Sequence, residues 1–105
     1  MSASKSLEDE FHKRMLDIHK KALKECHFNG HYFLRMVVYH GGVAAAKQLL
    51  NTDESQSGFT ELHLCGRLDL TTEHLVLEPE FRSLFSEDEL KEARSRLTEY
   101  GYHFP

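Results

Sequence analysis

Residues 31–40, "HYFLRMVVYH", are nearly apolar all round, and whether they form strand or helix decides the fold. Val37, Val38 and the aromatic residues favour a strand by propensity. Hydrophobic periodicity cannot separate a buried strand from a buried helix over so short a run. No other part of the chain reads as a convincing strand to pair with it, and a lone strand would leave its backbone N–H and C=O groups unsatisfied. The stretch is therefore expected to be the central helix of a bundle, ended by Gly41-Gly42. Immediately after it, "VAAAKQLL" (43–50) restarts as a short helix with Val43, Ala46, Leu49 and Leu50 facing inward.

Upstream, Phe11, Met15, Ile18, Ala22 and Cys26 recur at steps of four, three, four and four, the period of one helix face. Leu16 and Leu23 widen that stripe. Ser6 is the expected N-cap, Glu8, Asp9 and Glu10 fill the first turn, and Asn29-Gly30 ends the helix. Residues 1–5 are expected to be disordered. Downstream, "NTDESQSG" (51–58) reads as an exposed loop. "FTELHLCGRL" (59–68) reads as about two helical turns burying Phe59, Leu62 and Cys65, with Gly66 placed to stop them.

"GRLDLTTEHLVLEPEFRSLF" (66–85) holds the densest cluster of reactive groups, yet capping accounts for most of it. Thr71 is a good N-cap, with Leu70 and Leu75 at hydrophobic-staple spacing. The helix must stop near Leu77, because the residue before Pro79 disfavours helical backbone. "PEFRSLF" (79–85) is expected to begin another short helix. Ser86 and Glu89 have capping-box spacing, Leu90, Ala93 and Leu97 continue the inner face, and Gly101 ends the last helix. Glu73, Glu80, Glu87 and Asp88 then sit in first turns, where the helix dipole favours carboxylates. The expectation is an all-α, compact single domain over residues 1–105, of about six short helices with a longer amphipathic one at the N-terminus.

At this point a family pattern becomes visible. "FHKRMLDIHKKA", "FLRM", "GGVAAAKQLL", "GFTEL", "GRLDLTTEHLVLEPEFRSLF", "EARSRL" and "EYGY" resemble, in that order over residues 11–102, a family of small bacterial helical proteins. The most specific part is Gly66-Arg67-Leu68-Asp69-Leu70 followed by Glu73, Leu75, Val76, Leu77, Pro79 and Phe81. The resemblance implies a bacterial, cytosolic, stand-alone or accessory helical domain. It supplies no activity and no catalytic residues.

Charge and chemistry narrow the function. The net charge of −4 is uneven: residues 1–50 carry 8 Lys/Arg against 5 Asp/Glu (+3), and residues 51–105 carry 5 against 12 (−7). An acidic second half repels a phosphate backbone, so nucleic acid would have to be bound by Lys13, Lys20 and Lys24 of the first helix, an edge that also carries Asp17. The eight histidines lack the close ligand pairs of a metal site. Cys26 and Cys65 are too few for a disulfide framework, and both read as packed core thiols in a reduced compartment. No run is long and apolar enough for a membrane span, and the N-terminus has no apolar signal core.

No catalytic, cofactor-binding or metal-binding residues are therefore expected. Arg35, within the most apolar helix, is expected in a buried or half-buried ion pair. Arg67 and Asp69 point outward, as a clamp in which Arg67 bonds orphan helix carbonyls or as a contact for a partner, and Glu73 joins them as a candidate. The chain reads as a cytoplasmic protein-binding accessory or regulatory module, with Tyr100, Tyr102 and Phe104 exposed near its tail. The alternative is a nucleic-acid-associating helical protein.

Overall fold

The deciding stretch is helical. In a computed structural model that describes residues 3–52 and 58–104, with side chains described from Ser6, the helices are α1 (Ala3–Cys26), α2 (His31–His40), α3 (Gly42–Leu50), α4 (Phe59–Leu64), α5 (Thr72–Val76) and α6 (Glu87–Glu99). No strand occurs among the described residues. The radius of gyration, 12.8 Å, is that of one globule, for which about 13 Å is expected at this length. No helix among the described residues is long and apolar enough to cross a membrane.

α1 is 24 residues long and spans about 36 Å at the α-helical rise, which sets the molecule's 41 Å long axis. Most of its stripe packs as the spacing predicts: Phe11, Met15, Ile18 and Ala22 are all buried, Cys26 is half-buried, and Leu23, expected to widen the stripe, is exposed instead. Its ends differ from expectation. The helix begins at Ala3, so Ser6 lies inside it and the acidic run lies beyond its first turn. The helical backbone therefore begins within the 1–5 segment, and residues 1–2 lie outside the described residues. At the other end the helix stops at Cys26, before Asn29-Gly30, and His27 takes left-handed backbone (φ 56°).

α2 is not central. It buries only Phe33, Met36 and Val37, while Tyr32, Val38 and Tyr39 are 57, 67 and 80% exposed. Apolar composition all round the helix did not locate it, because packing could cover only one face. The enclosed elements are α3, with Ala45, Ala46, Leu49 and Leu50 inside, and the single turn and a half of α5. Gly42 lets α3 approach α1 closely: a Cβ there would lie 2.7 Å from the His12 Cα, and the Gly42 N–H donates to His12 Nδ1 at 2.9 Å. α1, α2 and α3 pack on one another, and α5 lies against α6.

The 66–85 stretch is built from turns. Gly66 ends α4 in a Schellman arrangement, with Gly66 N–H on the His63 carbonyl and Arg67 N–H on that of Leu62. Leu68–Leu70 is one 3-10 turn. Thr71 caps α5, its hydroxyl accepting from His74 N–H at 3.1 Å and donating to the Leu68 carbonyl at 2.7 Å. The helix expected from Pro79 is instead a turn followed by the 3-10 turn Arg82–Leu84, closed by three-residue hydrogen bonds and by Arg82 Nε on the Leu77 carbonyl. The Ser86–Glu89 capping box forms, and Gly101 ends α6 in a second Schellman arrangement. Of the expected 51–58 loop, 53–57 lies outside the described residues. Asn51 and Thr52 are exposed and Gly58 is buried.

Candidate functional site

Arg67 and Asp69 meet. The position after the Schellman glycine turns the Arg67 side chain toward α1, where its guanidinium holds Asp69 through two bonds (3.0 and 3.1 Å) and also pairs with Glu25. The hydrogen bond from Arg67 keeps the Asp69 carboxyl below the ordinary carboxylate range. The Arg67 guanidinium therefore bonds carboxylates rather than orphan carbonyls; only its backbone N–H reaches a carbonyl. The pair stitches the end of α4 to α1, as Arg14–Glu78 (2.6 Å) stitches the turn after α5 to α1.

Glu73 is elsewhere. Its first-turn position in α5 is correct, but it is wholly buried and faces Arg96 of α6 at 2.8 Å, so exposed capping is not its role. Arg96 is the clamp that was expected at Arg67. Its Nε bonds Glu92 (2.7 Å), Nη1 bonds Glu73 and the Leu49 carbonyl (3.1 Å), and Nη2 bonds the carbonyls of Leu50 (3.2 Å) and Thr52 (2.7 Å). All five guanidinium donors are used. They satisfy carbonyls at the C-terminal end of α3, where the helix dipole also favours a cation. Burial pushes the Arg96 pKa down, and the bonds to Glu92 and Glu73 outweigh it, so the guanidinium stays charged. One signal could have found Arg96: it falls three residues after Ala93 and next to Leu97, on the inner stripe of α6.

Arg35 also departs from expectation. It is exposed on α2 and forms no ion pair among the described residues. Beside it, a hollow of about 230 Å3 is lined by Tyr32, Met36, Tyr39, His40 and Gln48. Lys13, Lys20 and Lys24 are exposed along α1, with Asp17 between them.

The tail aromatics are not free. Tyr100, Tyr102 and Phe104 are half-buried: Tyr100 stands edge-on to Phe59, Tyr102 OH is 2.9 Å from His74 Nε2, and Arg94 lies over Phe104. The cysteines are joined as Cys26–Cys65, with Cα atoms 5.8 Å apart, which overturns the expectation of two separate core thiols. Both fall at helix ends, and the tertiary fold brings those ends together. No group of three His, Cys, Asp or Glu suited to a metal ion occurs among the described residues.

One pH effect follows from these pairs. Burial pushes the Glu89 carboxyl up, but hydrogen bonds from Lys47 (2.8 Å) and the Ser86 N–H outweigh it and hold it below its usual value. A carboxylate whose folded pKa is depressed stabilises above its unfolded value, about 4, and loses that contribution as pH falls through the folded value. The urea midpoint is therefore expected to drop on acidification below about pH 4, with Glu89 and Asp69 among the groups responsible. Lys47→Met should make the drop shallower; an unchanged slope would refute the assignment to Glu89.

The fold and these contacts define a class, a small all-α domain whose charged cluster is spent on internal ties. Comparison of the chain with known protein families, with curated proteins and with solved structures finds no match.

Proposed function

We propose that the chain is a protein-binding module without catalytic chemistry of its own, and that it docks its partner on the outer face of α2. The observation carrying this reading is the exposure of Tyr32, Val38 and Tyr39 on one short helix, around an Arg35 with no ion-pair partner among the described residues. Tyrosine and arginine dominate the energetics of protein interfaces, since each buries a large surface and keeps a polar end. α2 contains no acidic residue, so the matching surface is apolar and edged with carboxylates. The neighbouring hollow is open to a side chain of such a partner.

The test uses exposed positions, so stability should be unaffected. Tagged native chain and the Arg35→Glu/Tyr39→Ser variant are used to capture proteins from the host, with Lys20→Gln as control. A protein retained by the native chain and the control but lost at least tenfold with the α2 variant supports the reading. Equal capture by all three overturns it. Binding to a mixed DNA or RNA pool that weakens steeply with salt, and is lost in Lys13→Gln/Lys20→Gln/Lys24→Gln, would establish the nucleic-acid alternative instead.

A further inference from the structure

We infer that Cys26–Cys65 is a reversible clasp on the C-terminal end of α4, opened by thiol–disulfide exchange with a dithiol. The bond joins residues 39 apart in the chain, at the ends of α1 and α4. It closes over a satellite apolar cluster, Ala22, Leu62 and Leu70 with Phe28 against them, which is separate from the main core. The two ends of α4 are held differently. Phe59 is wholly buried in the main core, whereas the Leu62–Cys65 end rests on the satellite cluster, the edge-on contact of His63 with Tyr100 (4.7 Å between centroids), the Glu25–Arg67 pair and the disulfide. So small a cluster, with one ring contact and a surface ion pair beside it, gives little resistance to local opening once the covalent tie is gone.

The chemistry can proceed from outside, because Cys65 is exposed and Cys26 half-buried. A thiolate of the dithiol attacks the Cys65 sulfur. The Sγ–Sγ bond breaks, its electron pair leaves on Cys26 Sγ, and that thiolate takes up a proton. The second thiolate of the dithiol then attacks its own sulfur in the mixed disulfide, releasing Cys65 as a thiol and leaving the dithiol oxidised. Two electrons and two protons pass to the protein. With the tie removed, the end of α4 can lift about Phe59 and uncover Phe28, Leu62 and Leu70, an apolar surface distinct from the α2 face. Phe28 is central to this seam, since it also packs directly on Gly58 at the start of α4.

Amide hydrogen exchange on the native chain, oxidised and then reduced with dithiothreitol, tests this. The amides of Cys65, Gly66 and Arg67, which bond the carbonyls of Glu61, His63 and Leu62, should exchange at least tenfold faster after reduction, as should Phe28, bonded to Ala22. The amides of α3 and α6 should not change, and reoxidation should restore protection. Cys65→Ser should reproduce the reduced pattern without dithiol. Acceleration across α6 as well would mean that the bond staples the whole fold, and no change at residues 65–67 would mean that it restrains nothing; either overturns the inference.

Discussion

Arg96→Ala should lower the unfolding free energy by about 3–5 kcal/mol, the usual cost of removing one partner from a buried ion pair. The loss has two physical parts. Glu73, wholly buried, is left without its guanidinium, and the carbonyls of Leu49, Leu50 and Thr52 together lose the Arg96 donors, Leu49 keeping those of Thr52. Arg96→Lys should recover only part of this, because an ammonium offers three donors from one point where the guanidinium offers five in a planar fork. The apolar swap Glu73→Leu/Arg96→Met should lose less than Arg96→Ala, since no charge is then left buried. Urea unfolding of the set, read as a double-mutant cycle, measures the coupling. A loss under about 1 kcal/mol for Arg96→Ala, within the range of exposed pairs, would show that the pair is solvated and that α3 does not depend on it.

Phe11→Ala should cost a similar amount, about 3–5 kcal/mol, by leaving a cavity in the main core. Phe11 is wholly buried and presents its ring edge-on to both Phe81 (5.1 Å between centroids) and Phe85 (5.2 Å). Those rings belong to the turn-rich stretch before α6, whose backbone hydrogen bonds, among the described residues, close its own turns and do not tie it to α1. The cavity would therefore loosen the Arg14–Glu78 tie as well as the core. Phe11→Leu, which keeps most of the volume, should cost roughly 1–2 kcal/mol. Denaturant midpoints with unchanged slope check both values. If Phe11→Ala and Phe11→Leu unfold alike, the site collapses around the loss and the aromatic triad is not what joins these elements.

Much of the helical plan can be read along the chain because its determinants are local. The Phe11–Ala22 stripe, the Thr71 cap, the Ser86–Glu89 box and the Gly66 and Gly101 stops each involve residues a few positions apart, and each forms as its spacing predicts. The candidate site was only half readable. Arg67 and Asp69 do meet, two residues apart in the chain, but Glu25 completes their cluster from 42 residues away. The apolar helix around Arg35 predicts an ion pair for it, and the fold leaves it on the surface.

The helical class, the single globule and the capped ends at Gly66, Thr71, Ser86 and Gly101 were thus set by composition and short-range spacing, since backbone hydrogen bonding and capping are satisfied within a turn or two; the ends of α1 and the 79–85 stretch were not. Which face of α2 is covered, which charge is buried and which thiols meet were decided by the packing of α3, α5 and α6 and by the closing of α4 onto α1. Those outcomes depend on pairs such as Glu73–Arg96 and Cys26–Cys65, which lie far apart in the chain and become neighbours only when the helices pack. A charge on an inner stripe marks a buried pair without naming its partner, because the burial cost is local and the compensating contact is not.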